Sequence, residues 1–387
     1  MSTVLFWFRH DLRLDDQRAL QAACAADTRA LLPVYCLPDN NALNPWGFSR
    51  IGPHRRAWLA AALQDLAEQL QQLGCPLLIC PGPAASTLPR LAHAIGASHI
   101  VCETIAAPEE QAEISALRAA GLEVRTVWHS SLLDPAQLPW PIAQLPTSFT
   151  PFRQAIERAQ ITPPAPLPAP RHLPPWPTGV VIPPQLRGTL ASLIATPDVR
   201  PYVTDPRSSL PHNGAAVPGG ASAGQRHLAQ YLARQLPHRY KQTRNDLMGV
   251  DYSSKCSPWL SSGALSARRI MAELRQFEAT HGANDGSYWL WFELLWRDYF
   301  RCLHLRYTHT DGASRRLYRA QGLTTAPVSN ATSGTDAIAR WCQARTGQPL
   351  IDAGLRELNA TGYLSNRLRQ VVASYWVYDL GGDWRTT

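Results

Sequence analysis

The pattern of apolar and polar positions changes character along this chain. In the first part, short apolar runs at Val4–Phe8, Leu31–Tyr35, Pro76–Cys80, His99–Glu103 and Glu123–Val127 alternate with amphipathic stretches. Those stretches, Asp16–Ala26, Gly52–Leu73, Ala84–Ile95 and Pro108–Ala120, have helical composition. Strand alternating with helix predicts a doubly wound parallel sheet with helices on both faces and ligands at the carboxyl ends of its strands. Neither a Gly-x-Gly-x-x-Gly nor a P-loop is present, so the architecture lacks the usual phosphate loop. Residues 134–222 then hold 20 of the 33 prolines, which excludes helix and central strand. They read as a connector with one ordered piece, Pro146–Glu157, closed by the glycine-rich Asn213–Gly224. From Gln225 onward the spacing is helical: Gln225–Gln235, Ala267–His281, Tyr288–Tyr307, Thr335–Ala344, Ile351–Ala360 and Asn366–Tyr378. The fold class is therefore α/β then all-α, with boundaries at 1–133, 134–222 and 223–387.

Charge sharpens this division. Residues 1–222 carry 16 basic and 16 acidic residues, whereas 223–387 carry 21 against 13, so the net +8 belongs wholly to the helical part. That part also holds seven of the 13 tryptophans, the composition of a surface for unpaired bases. No apolar run approaches a membrane span, and the N-terminus lacks the marks of a signal peptide. The eight cysteines are scattered without Cys-x-x-Cys or Cys/His clustering, so no metal site and no disulfide framework is expected. The expectation is a reduced, cytosolic monomer.

Three stretches carry candidate chemistry. Tyr288–Arg301 is an aromatic helix in which Trp289, Glu293, Trp296 and Arg297 fall at i, i+4, i+7 and i+8. Such stripes are more often core, but an acid and a guanidinium within one suit a planar, hydrogen-bonding, anionic ligand. Asp251–Leu260 gathers three serines and a lysine ahead of a helix-start proline, either an N-cap or an anion cradle. Tyr240 and Arg244 precede it and add an aromatic ring and a fixed charge. In Asn359–Gln370, the side chains of Asn366, Arg369 and Gln370 share a face at i, i+3 and i+4, while Arg367 points elsewhere. Asp379 is the natural acid for one of these arginines, but pairing it with Arg369 requires a break in the helix.

Long motifs resemble the photolyase/cryptochrome family, particularly its DASH class. They are Trp7–Arg13, Phe149–Arg153, Tyr240–Asn245, Asp251–Leu260, Tyr288–Asp298 and Thr361–Gln370. The resemblance implies light-driven, FAD-dependent repair of cyclobutane pyrimidine dimers, preferring UV-damaged single-stranded DNA. It implies that Tyr240, Ser253, Ser254, Lys255, Cys256 and Ser257 hold the FAD phosphates, that Arg297 also reaches the cofactor, and that Arg369 and Asp379 pair beside the flavin. Glu293, Trp296, Asn366 and Gln370 match the pocket for a flipped dimer, Arg244 a DNA phosphate contact, and Glu109 a contact to a folate antenna (methenyltetrahydrofolate). Cys256 stands where a larger apolar residue is usual. Two further readings stay open: a flavin photoreceptor without turnover, and a nucleic-acid-binding protein poor in FAD.

The family pattern continues beyond Thr387 with an acidic, Asn- and Trp-rich stretch that closes the flavin pocket. Trp384 matches the middle tryptophan of the family's electron-transfer relay, its inner partner is absent, and Val328–Gly334 lacks the outer one. On that resemblance, FAD is expected to bind weakly and photoreduction to fail.

Overall fold

The structure, a computed structural model, describes residues 2–38, 43, 48–194, 209, 219–308, 335–383 and 386. Five strands form one parallel sheet in the order β3-β2-β1-β4-β5. They are β1 (Ser2–Phe8), β2 (Thr28–Cys36), β3 (Leu78–Cys80), β4 (His99–Glu103) and β5 (Val124–Val127). The chain runs outward from β1 to β3, then returns to the other side of β1, which makes the carboxyl end of β1 the switch point. Val4, Leu5, Phe6 and Phe8 are fully buried, as expected of a central strand covered on both faces. The covering helices are α1 (Arg18–Ala23), α2 (Pro53–Gln72), α3 (Ala84–Ile95) and α4 (Pro108–Ala119). Each expected strand and helix of this layer is present.

The proline-rich stretch contributes α5 (Phe149–Arg158) and the short α6 (Ala191–Ile194). Between these helices its residues Leu167 and Pro175 meet the α/β layer: the Leu31 N–H donates to the Pro175 carbonyl at 3.0 Å, and the Asp16 N–H to that of Leu167 at 2.8 Å. The helical part comprises α7 (Ala221–Ala233), α8 (Tyr240–Thr243), α9 (Ser257–Ser262), α10 (Ala267–His281) and α11 (Asp285–Thr308). After these come α12 (Thr335–Cys342), α13 (Pro349–Thr361) and α14 (Asn366–Ser374). Helix α7 begins four residues before the expected Gln225 and includes Gly224, which packs against Trp259 where a Cβ would lie 2.8 Å from the ring. Helix α14 ends early in a single π turn, Tyr375–Asp379.

Polar side chains buried between the two layers bind them together. Arg13 donates to the Gly263 carbonyl at 2.8 Å, and Arg268 pairs with Asp16 at 3.0 Å with both side chains fully buried. Asp298 of α11 accepts from the Leu132 and Leu133 N–H groups at 2.9 and 2.7 Å. Arg297 donates to the Ser130 carbonyl at 2.6 Å, and Arg301 pairs with Glu103 at 3.1 Å. Gly263 closes the seam: its φ is +69°, and a Cβ there would sit 1.8 Å from the His10 carbonyl oxygen. The seam also brings Asp11, Glu103 and His129 within reach of one another. Asp11 accepts there from the Arg9 N–H and from Gln17, and Glu103 accepts from Arg301 through one of its two oxygens, so the cluster is tied into the seam by hydrogen bonds and an ion pair. One helix, α11, is thus anchored to the α/β layer along one side while its other side faces a cavity.

Candidate flavin and nucleic-acid site

The cavity, of about 270 Å³, lies within the helical part. One wall is the bend Tyr252–Cys256, where Lys255 adopts the left-handed conformation (φ +54°) before Pro258 opens α9. The Thr243 hydroxyl donates to the Tyr252 carbonyl at 2.8 Å, and His227 Nε2 donates to that of Ser254 at 2.7 Å. The His227 ring stacks on Trp259 with centroids 4.8 Å apart, which fixes the imidazole behind the bend. Lys255 is buried; its ammonium lies 3.1 Å from the Tyr252 ring centroid and has no hydrogen-bond partner among the described residues. Burial pushes its pKa down to about 7, against the pull of Glu357 and Asp251. An orphaned buried ammonium beside serine hydroxyls calls for an anion.

The opposite wall is the Leu290, Glu293, Leu294 and Arg297 face of α11. Glu293 pairs with Arg244 at 2.6 Å, and that guanidinium lies over the Trp289 ring at 4.5 Å. Burial raises the Glu293 carboxyl above the ordinary range, and Arg244 opposes the rise. Arg297, fixed by the Ser130 and Leu260 carbonyls, has its pKa lowered to about 10, chiefly by burial. Tyr363, Asn366 and Arg369 complete the lining.

Tyr240, Arg244, Ser253, Ser254, Lys255, Cys256, Ser257, Glu293, Arg297, Asn366 and Arg369 therefore meet at one cavity. Four other expected residues among those described do not. Trp296 is absent from the lining: its ring stacks on Phe149 of α5 at 3.8 Å and 13°. At about 100° per residue, position 296 lies a quarter turn and more from 297, so the two cannot share a narrow face. Gln370 is exposed, accepts from Arg367 at 3.2 Å and lines an open groove with it instead of the cavity. The π turn supplies the break that Asp379 needed, yet Asp379 lines an open groove with Gln370, Leu350 and Tyr375, and no ion pair among the described residues joins it to Arg369. Glu109 is exposed. Its neighbour Glu110 instead pairs with Arg50 at 3.2 Å and lines a cavity of about 360 Å³ at the carboxyl ends of β1 and β2. Trp384 and Val328–Gly334 lie outside the described residues. Sequence reasoning missed His227, whose partner Ser254 is 27 residues away and carries no local signal.

A parallel α/β layer joined through buried ion pairs to a helical layer that encloses a phosphate-seeking cavity defines a class of flavoprotein. The DNA photolyase family matches residues 4–171, and the FAD binding domain of DNA photolyase matches residues 289–387. The chain belongs to the photolyase/cryptochrome family. Its relatives include the cryptochrome DASH of Gloeobacter violaceus, 38% identical over 99% of this chain and 73% of that protein. Cryptochrome DASH of Xenopus laevis is 35% identical over 99% of this chain and 71% of its own length. Among solved structures, a cryptochrome of Synechocystis sp. superposes with a TM-score of 0.87 at 36% identity, covering 99% of this chain and 76% of that one. A class III photolyase of Agrobacterium tumefaciens superposes at 0.76 and 25% identity, covering 100% and 74%. Among the described residues no helix is long and apolar enough to cross a membrane.

FAD fits the residues present. The unpartnered Lys255 ammonium and the serine bend match its diphosphate, and the apolar wall of Leu290 and Leu294 suits its flat ring system. A pH dependence follows. The folded pKa of Lys255, about 7, lies below that of a free lysine, near 10.4. From about pH 7 to about pH 10 the unfolded chain thus binds more protons, so the nucleotide-free chain gains stability as pH rises through that window, while below it the burial cost is present in full. A diphosphate favours the charged ammonium, so affinity for ADP should fall as pH rises through about 7, and Lys255→Met should flatten the profile. Calorimetric titration with ADP across that range checks this, and a flat profile for the parent chain would contradict it.

Proposed function

We propose that this chain is a DASH-type light-driven lyase that splits cyclobutane pyrimidine dimers in single-stranded DNA, with residues 223–387 as its flavin- and DNA-binding part. The observation that carries the reading is one cavity with two chemically distinct walls, an orphaned ammonium at Lys255 and a half-buried carboxyl at Glu293. Tyr240, the serines 253, 254 and 257, Lys255, Arg297 and Arg369 would hold FAD. When bound, reduced FAD supplies, under blue light, the electron that opens the dimer and receives it back.

The protein's own work is binding, orientation and proton placement. Glu293, whose carboxyl partial burial biases toward the protonated form, would in that form donate a hydrogen bond to a base carbonyl on which charge develops. Asn366 presents an amide to the same bases. Arg244 holds Glu293 in position and can turn toward a phosphate when the strand arrives. A dimer leaves a single strand at little unstacking cost, which accounts for the strand preference. The excess of basic residues in this part steers the strand to the cavity.

The test is dimer loss from UV-irradiated oligothymidylate under blue light with an external reductant, run beside the same lesion in a duplex. Light-dependent loss from the single strand, well ahead of the duplex, is the expected result. No loss from either by flavin-loaded protein would remove the lyase reading.

A further inference from the structure

Helix α11 carries aromatic side chains that the cavity does not use. Phe149 of α5, Trp296 and Phe300 form a column of nearly parallel rings. Phe149 and Trp296 are 3.8 Å apart at 13°, and Trp296 and Phe300 are 5.4 Å apart at 24°. The column is closed at its inner end, where Phe149 is buried, and open at its outer end, where Phe300 is 43% exposed. Trp296 therefore has a ring on each side and cannot receive a base face-on without repacking. Phe300 can.

The column joins a track leading back to the cavity. Phe149 meets Phe292 at 5.1 Å, and Phe292 meets Trp289 at 4.4 Å. Two guanidiniums lie over this track, Arg153 over Phe292 at 5.9 Å and Arg244 over Trp289 at 4.5 Å. Flat rings interleaved with guanidiniums are the recurring surface for unpaired bases, because every base offers a π-face. From Glu293 to Phe300 the helix rises about 10 Å, roughly three base steps.

We propose that Phe300, backed by Trp296 and Phe149, is the outer stacking platform for an unpaired base of a single-stranded nucleic acid whose lesion enters the cavity beside Glu293. The proposal rests on the reading above and adds to it a residue that the cavity alone does not reveal. The occupant is a single strand because the open element is one flat ring at the end of an aromatic track that carries two guanidiniums over Phe292 and Trp289, in a part of the chain whose basic residues outnumber its acidic ones 21 to 13. A duplex keeps its base faces stacked inside and has none to offer to Phe300.

Fluorescence anisotropy with a short undamaged oligothymidylate tests this. Phe300→Ala should weaken binding about tenfold, Phe300→Trp should restore it, and the salt slope should stay unchanged because no phosphate contact is lost. Binding to a duplex of the same length should be insensitive to the substitution. Equal single-strand affinity for parent and Phe300→Ala would overturn the proposal, as would equal losses on duplex and single strand. Self-association of the parent that Phe300→Ala abolishes would also overturn it, marking the face as a contact between copies. The lyase reading is tested apart, on the parent chain with a minimal thymidine dinucleotide dimer. Failure there removes that reading and leaves the oligonucleotide result to decide the platform.

Discussion

Glu293→Ala should lower light-driven dimer repair by about two orders of magnitude while leaving flavin content at the parental level. The magnitude is that of removing one preorganised hydrogen-bond donor aimed at developing charge, roughly 10²–10³ in rate. Flavin content should hold because Glu293 lies on the wall opposite the Lys255 bend and is tied to Arg244, 2.6 Å away. The pH profile carries the same information. Burial raises the Glu293 pKa, and the carboxyl donates only while protonated, so repair should decline as pH rises through that value. Arg244→Gln removes the charge that holds the pKa down, so the declining limb should move to higher pH. Glu293→Gln keeps a donor at all pH and should flatten the limb. Repair rates measured across pH for the parent and these two variants decide it, and a limb that Arg244→Gln leaves in place would show that the carboxyl is not the titrating group.

Arg268→Met should destabilise the chain by about 3–5 kcal/mol, the cost of leaving a buried carboxylate without its partner. Asp16 and Arg268 are both fully buried, 3.0 Å apart, at the seam between the α/β and helical layers. Asp16 also accepts from the Leu167 N–H, and Arg268 donates to the His129 carbonyl, so one substitution disturbs both sides of the seam. Asp16→Asn in the same chain should recover part of the loss by removing the stranded charge. Urea midpoints of the two single variants and the double variant measure this. A loss below about 1 kcal/mol for Arg268→Met would place the pair among solvent-screened ion pairs of small worth.

The α/β layer was legible because its signal is local. An apolar run such as Val4–Phe8 needs only its own residues to declare a buried strand, and Ala84–Ile95 matched its helix end for end. The bend Tyr252–Ser257 was equally legible, since its residues are contiguous and precede a helix-start proline. The helix faces were less so. Trp296 looked like a partner of Glu293 at helical spacing, but Phe149, 147 positions earlier and inside a proline-rich stretch, claims its ring. Gln370 was grouped with Asn366 and Arg369 by spacing alone, whereas Arg367 and the loop bearing Asn245 hold that side of α14. Asp379 was correctly seen to need a helix break, but periodicity does not tell to which side a π turn swings the chain. For Trp296 the deciding contact is non-local, and one residue's offset on a helix turns its side chain by about 100°.

The account stands on one claim, that the cavity between Lys255 and Glu293 is the flavin cavity. Equilibrium titration of the flavin-free chain with FAD, read by quenching of flavin fluorescence, tests it most directly when repeated on Lys255→Met and Glu293→Ala. The account predicts saturable binding of one FAD per chain, weakened about tenfold or more by Lys255→Met, which removes a charge-assisted partner of the diphosphate, and left nearly unchanged by Glu293→Ala. Binding that is indifferent to Lys255, or no saturable binding at all, would contradict it.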